Sequence, residues 1–162
     1  MVKIQKFIDT PSQTAGPFLH IGCTPRITGI NIFKSELGLT PYQDISDNEA
    51  INIKGKIYDG NKEPIIDAMI ETWQCDANGN YSSNQGFARI VTDFKTGEYQ
   101  LKTIRPGNEI NTDGSLSASY ITFWIVARGM NRPLITRMYF LENDLKNDLI
   151  FQSLNIEDRL KT

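Results

Sequence analysis

From residue 51 onward, apolar and polar side chains alternate along the chain. Ile51, Ile53 and Ile57, with Gly55 between them, alternate with Asn52, Lys54, Lys56 and Tyr58. That is the two-residue period of a strand with one buried face. Asp59-Gly60-Asn61 then reads as a turn, since glycine tolerates positive φ and Asp or Asn side chains bond the nearby backbone. Further strand-like runs are predicted over 68–75, 87–92, 99–104, 120–128 and 134–140. Turn chemistry separates them at Asp76 to Asn80, Asp93 to Gly97, Arg105-Pro106-Gly107 and Gly129 to Pro133. Several short strands so spaced predict an all-β antiparallel sandwich with little helix. Helix is expected only near the end, as a turn or two around Leu145 and over 156–160.

Residues 1–50 have a different texture, punctuated by Pro11, Gly16, Pro17, Gly22, Pro25, Gly29, Gly38 and Pro41. Such a segment has few options for regular ladders. Its Ile, Phe and Leu content argues that it lies against something rather than floating free. The expected organisation is an irregular N-terminal arm over 1–50, packed on the body or a neighbouring subunit, and a sandwich over 51–162.

Composition narrows the function classes. A chain of 162 residues, 40% hydrophobic and 22% charged, suits one domain with a real core. A net charge of -2 gives no electrostatic reason to expect nucleic acid or an anionic membrane as partner. The start Met1-Val2-Lys3-Ile4-Gln5-Lys6-Phe7 lacks the apolar run of a secretory signal, and no stretch approaches the roughly 20 apolar residues of a membrane span. Cys23 and Cys75 fit no CxxC spacing, so two reduced thiols in a cytoplasmic protein are expected.

The inventory also limits the chemistry. With a single histidine, His20, a two-histidine metal triad within the chain is excluded. No nucleophile-elbow or phosphate-loop spacing is present. His20, beside a Gly-Pro turn, reads as a structural hydrogen-bonder, and Cys75, ending an apolar strand, as core. Trp73, Trp124, Phe123 and Tyr139 are expected in the core or at an interface, and Phe18 in packing.

Four segments carry a family resemblance. Thr10-Pro11-Ser12-Gln13-Thr14-Ala15-Gly16-Pro17-Phe18 resembles the opening of intradiol ring-cleavage dioxygenase subunits. Glu71-Thr72-Trp73-Gln74-Cys75-Asp76-Ala77-Asn78-Gly79-Asn80-Tyr81 resembles their E-x-W-Q-A-D-x-x-G-x-Y segment, and Thr103-Ile104-Arg105-Pro106-Gly107 their T-[IV]-[KR]-P-G. Ala127-Arg128-Gly129 and Thr136-Arg137-Met138-Tyr139-Phe140 are similar to a stretch of the accessory, α-type subunits. The resemblance runs in order from about residue 10 to residue 160.

The resemblance implies Fe(III) held by two tyrosinates and two histidines, the latter two residues apart on one strand. Carried onto this chain, the first tyrosine falls on Tyr81, the second has no counterpart between Asn108 and Leu116, and the histidine pair falls on Tyr120 and Thr122. No functional metal site and no catalytic residue of its own is therefore expected; Tyr81, Tyr120 and Thr122 are vestigial positions. The implied partner is a catalytic β subunit carrying the iron, in a hetero-oligomer acting on a small aromatic substrate. Thr14, Gly16, Pro17 and Phe18 would line one side of that partner's pocket, and Arg128 would steer or bind the carboxylate of protocatechuate. Family members continue past the point matching Thr162, so more chain or a partner is expected to complete the sandwich edge.

A second reading stays open. The stretch from Ile53 to Ala68 is also similar to prealbumin-type and collagen-adhesin-type sandwiches, which are non-enzymatic binding modules.

Overall fold

The computed structural model describes residues 13–16, 18–35, 38–140 and 145–155. Among these described residues, eight strands form three antiparallel groups. Strand β1 (Ala50–Lys56) pairs with β4 (Glu98–Ile104), Ile53 lying opposite Leu101. Strands β2 (Met69–Trp73), β3 (Phe87–Val91), β7 (Tyr120–Val126) and β8 (Leu134–Tyr139) form a four-stranded sheet in the order β3-β2-β7-β8. A small hairpin joins β5 (Glu109–Ile110) to β6 (Leu116–Ser117).

The core follows from the alternation. Ile70, Ala88, Ile90, Ile121, Phe123 and Ile125 of the four-stranded sheet pack with Leu101, Ile53 and Tyr99 of the β1–β4 ribbon. Ile70 and Ile121 are 0% exposed, and burying each such side chain contributes about 1.5–3 kcal/mol. Gln74 ties the layers together: its amide donates to the Ile104 carbonyl at 3.0 Å and its oxygen accepts from Thr103 Oγ1 at 2.7 Å. The turns work as read. Asp59, Asp76 and Asp93 each open one, with Oδ1 accepting backbone N–H groups at 2.7–2.9 Å.

Among the described residues of the first 50, the chain departs from an irregular reading in one place. Helix α1 (Phe18–Cys23) opens with Leu19 N–H donating to Gly16 O at 3.0 Å and closes with Thr24 bonding the His20 carbonyl. So short a helix draws little from propensity; the buried His20 ring, edge-on to Phe94 at 5.6 Å, anchors it. Further along, Gly38 O accepts from Arg89 N–H at 2.6 Å and Pro41 O from Gly86 N–H at 2.9 Å, so this segment bonds the β3 edge. Near the end, a 3-10 turn (Leu145–Asn147) precedes helix α2 (Leu149–Ser153), capped by Asp148 accepting from Phe151 N–H at 2.8 Å. The predicted turn over 156–160 lies outside the described residues. The β5–β6 hairpin was not foreseen: its strands are two residues each, too short for a period to register.

Candidate functional site

Two glycines decide what meets at the head of the sandwich. The loop after β2 crosses the chain leaving β4, and Gly107 N–H donates to Asp76 O at 2.8 Å. A Cβ on Gly107 would lie 2.4 Å from Ala77 O, and one on Gly79, at φ 84°, 2.1 Å from Asn108 O. Only hydrogen fits at both points. This close crossing brings Tyr81, stacked on Trp73 at 5.9 Å, beside Glu109 of β5 and Tyr120 of β7.

The three side chains bond one another. Tyr120 Oη donates to Glu109 Oε2 at 2.7 Å. That uses Tyr120's one proton, so in the 3.2 Å contact between the phenols Tyr81 is the donor. Tyr81 Oη also lies 3.4 Å from Glu109 Oε2. Burial, chiefly, pushes both phenols above their ordinary value, and the bonds to Tyr81 and Glu109 push Tyr120 further. Both are therefore protonated at neutral pH. Arg137 of β8 lies over the Tyr120 ring, its guanidinium carbon 3.9 Å from the centroid.

Thr122 shares the face of Tyr120 and pairs in register with Trp73 on one side and Arg137 on the other. Its hydroxyl is a poor donor to a ferric ion, and Glu109 is hydrogen-bonded to Tyr120. His20 lies elsewhere, against Phe94. Tyr120 and Thr122 stand where the two imidazoles would be, so the residues present do not fit the family's ferric ligand set of two tyrosinates and two imidazoles. Sequence reasoning missed Glu109 because it sought a phenol between residues 108 and 116; a carboxylate two positions past Gly107 was the available signal.

A second constellation forms where the arm meets the loop after β7. Ala15 makes a parallel bridge to Arg128, and Gly129 N–H donates to Thr14 Oγ1 at 2.7 Å. Thr14, Gly16 and Arg128 are thus brought into one neighbourhood, although they lie more than a hundred residues apart. Arg128 Nε pairs with Asp67, a partner with no signature in the sequence, and its side chain remains 64% exposed. Arg128, Asp67, His20, Phe94, Thr28 and Ile66 line a cleft of about 230 Å³. Phe18 departs from the packing expected of it: it is 79% exposed. Pro17 lies outside the described residues. His20 also differs from expectation, since its buried Nε2 has no hydrogen-bond partner, and burial lowers its pKa. Cys75 is core as expected, its thiol 3.4 Å from Gly107 O and raised in pKa by burial.

Among the other aromatics, Phe123 and Tyr139 are buried, whereas Trp73 is 39% exposed. No helix among the described residues is long and apolar enough to cross a membrane.

An antiparallel sandwich with two phenols and a carboxylate clustered at its head defines the class. Residues 34–161 match the family described as Dioxygenase, and the chain belongs to this family of intradiol ring-cleaving dioxygenases. Its relatives sharpen the assignment. It is 37% identical over 144 residues to the protocatechuate 3,4-dioxygenase alpha chain of Pseudomonas putida, covering 85% of this chain and 72% of that one. It is 30% identical over 141 residues to the alpha chain of Burkholderia cepacia, covering 81% and 69%. To the beta chain of the same enzyme from Burkholderia cepacia it is 29% identical over 119 residues, covering 64% and 50%. The solved catechol 1,2-dioxygenase from Pseudomonas arvilla C-1 superposes with a TM-score of 0.53 at 20% identity, over 68% of this chain but only 38% of that one. At that identity the superposition shows the fold, and it favours an intradiol sandwich over a prealbumin-like or adhesin-like module.

Proposed function

We propose that this chain is the accessory, α-type subunit of a protocatechuate 3,4-dioxygenase, which cleaves protocatechuate between its hydroxyls with O2 to give 3-carboxy-cis,cis-muconate. The enzyme is an oxidoreductase of aromatic catabolism that incorporates both oxygen atoms. Its Fe(III) belongs to a partner β subunit, and this chain holds none. The observation that carries the reading is the identity to two alpha chains, joined to the chemistry of the ligand positions. Tyr120 and Thr122 occupy the positions of the family's histidine pair, and Tyr81 and Tyr120 bond each other and Glu109.

The chain's contribution is to the substrate pocket at the subunit boundary. Thr14, Gly16, Pro17 and Phe18 form one wall, and Arg128 meets the substrate carboxylate. The exposure of Phe18 supports this, because large apolar side chains left open on the arm, with Ile32 and Phe33 exposed as well, suit a partner surface. Arg128 is held by Asp67 but exposed enough to engage a second anion. The arm over residues 1–50 and the body over 51–162 act as contact element and scaffold, and the two separated free cysteines suit a reducing cytoplasm.

The test is co-expression with a β-type chain bearing paired tyrosines and an H-x-H strand. The account expects a coloured hetero-oligomer that turns over protocatechuate, with Arg128→Ala raising KM for protocatechuate more than for catechol, which lacks the carboxylate. Failure to associate, or equal effects on the two substrates, would count against it.

A further inference from the structure

Arg137 belongs to a segment that the accessory role leaves unused. Its guanidinium is stacked on Tyr120 and hydrogen-bonded to the Tyr139 hydroxyl, while its Nη1 is buried without a hydrogen-bond partner. A buried, charged N–H lacking an acceptor is costly, so such groups are normally satisfied by protein, water or ligand. Among the described residues, the nearby carboxylates are already engaged. Glu109 accepts from Tyr120, and Asp148 accepts from Ala118 N–H at 2.9 Å, Phe151 N–H at 2.8 Å and Tyr139 Oη at 3.5 Å. Asp148 offsets part of the arginine's field without bonding it, while the neighbouring phenols Tyr120 and Tyr139 hold their protons.

Arg137 lines a cleft of about 370 Å³ between β8 and α2, within the roughly 300–1,000 Å³ range of small-molecule pockets. Its walls are Ile135, Ile150, Leu154 and the Tyr139 ring, with the Thr122 hydroxyl as the other polar group on the β7 side. Ile135 and Ile150 are 66% and 48% exposed, so the apolar wall is open to an entering molecule. One cation with no carboxylate bonded to it among the described residues, set among apolar side chains, selects a particular chemistry. A small carboxylic acid with an apolar body places its charge on the guanidinium and its body on the isoleucines. A strongly hydrated inorganic anion gains only the first, and a neutral amide only the second.

We infer that the β8–α2 cleft is a binding site for small apolar carboxylates, with Arg137 as the anion-recognising residue. It is distinct from the Arg128 face and does not depend on the accessory-subunit reading. Loss of the site would leave turnover by the hetero-oligomer untouched, and failure of that turnover would leave the site standing.

The test is an NMR titration of the full-length chain with sodium benzoate, benzamide and inorganic phosphate. Benzoate is expected to bind at one site with shifts centred on β8 and α2, and the other two at least about tenfold more weakly. Arg137→Gln should lose benzoate binding while keeping its thermal transition, and Lys54→Ala, at an exposed position on β1, should bind as the parent does. Because Arg137 also packs on Tyr120, Ile150→Trp provides a second variant, which fills the cleft while leaving the arginine in place and should block benzoate as well. Equal binding of benzamide, unchanged binding by Arg137→Gln or Ile150→Trp, or absence of any benzoate shift would overturn the inference.

Discussion

The head of the sandwich and the arm face differ in how their polar groups are used. At the head, Tyr81, Tyr120 and Glu109 close on one another, and each proton has an acceptor inside the cluster. At the arm face, Phe18 lies open and Arg128 projects, with one paired carboxylate, into a shallow cleft. A closed hydrogen-bond network stabilises the fold but has little left for chemistry. An open face costs the isolated chain some exposed apolar area and gains value only against a partner.

The largest effect should come from forcing the crossing apart. Gly107→Ala drives a methyl group against Ala77 O and should destabilise the chain by about 2–3 kcal/mol, read as a lower midpoint in urea unfolding. Next is Tyr120→Phe, which removes the short bond to Glu109 and the base of the Arg137 stack. A loss of about 2 kcal/mol is expected, since hydrogen bonds to charged groups contribute roughly 1.5–3 kcal/mol. If Tyr120→Phe proved neutral, the head would not be a closed network at all.

The phenols also predict a pH dependence. Tyr81 and Tyr120 have raised pKa values in the folded chain, and Tyr42, donating to Cys75 O at 2.8 Å, is pushed up to about 12 by burial. Below pH about 10 both folded and unfolded phenols are protonated, so this stabilisation is fully present. Above it the unfolded chain releases protons that the folded chain retains, and stability falls as pH rises. Chemical unfolding between pH 8 and 11 should follow that course, and Tyr120→Phe should flatten it. Smallest in stability is Arg128→Ala: its partly exposed ion pair with Asp67 contributes no more than about 1 kcal/mol, so the midpoint should barely move.

The sandwich was legible because its strands alternate cleanly and aspartates open its turns. Ile51 to Ile57 announce β1, and Asp59, Asp76 and Asp93 cap the turns where the sequence places them. Helix α1 was hidden because packing of His20 on Phe94, rather than local propensity, holds it. At the head, Tyr81, Tyr120 and Thr122 were named from their motif positions, but Glu109 was not, because its meeting with the phenols depends on two loops crossing. The same limit hid Asp67 from Arg128. Contacts made by a change of register along one strand can be read from a sequence; contacts made by loops that cross cannot.

The claim most in need of a direct test is that the head of this sandwich holds no ferric iron. Purified alone, supplied with Fe(III) and freed of excess, the chain should show no visible tyrosinate-to-iron absorption and no stoichiometric high-spin ferric signal by electron paramagnetic resonance. A red protein carrying one ferric ion per molecule, with colour lost in Tyr81→Phe, would contradict the account.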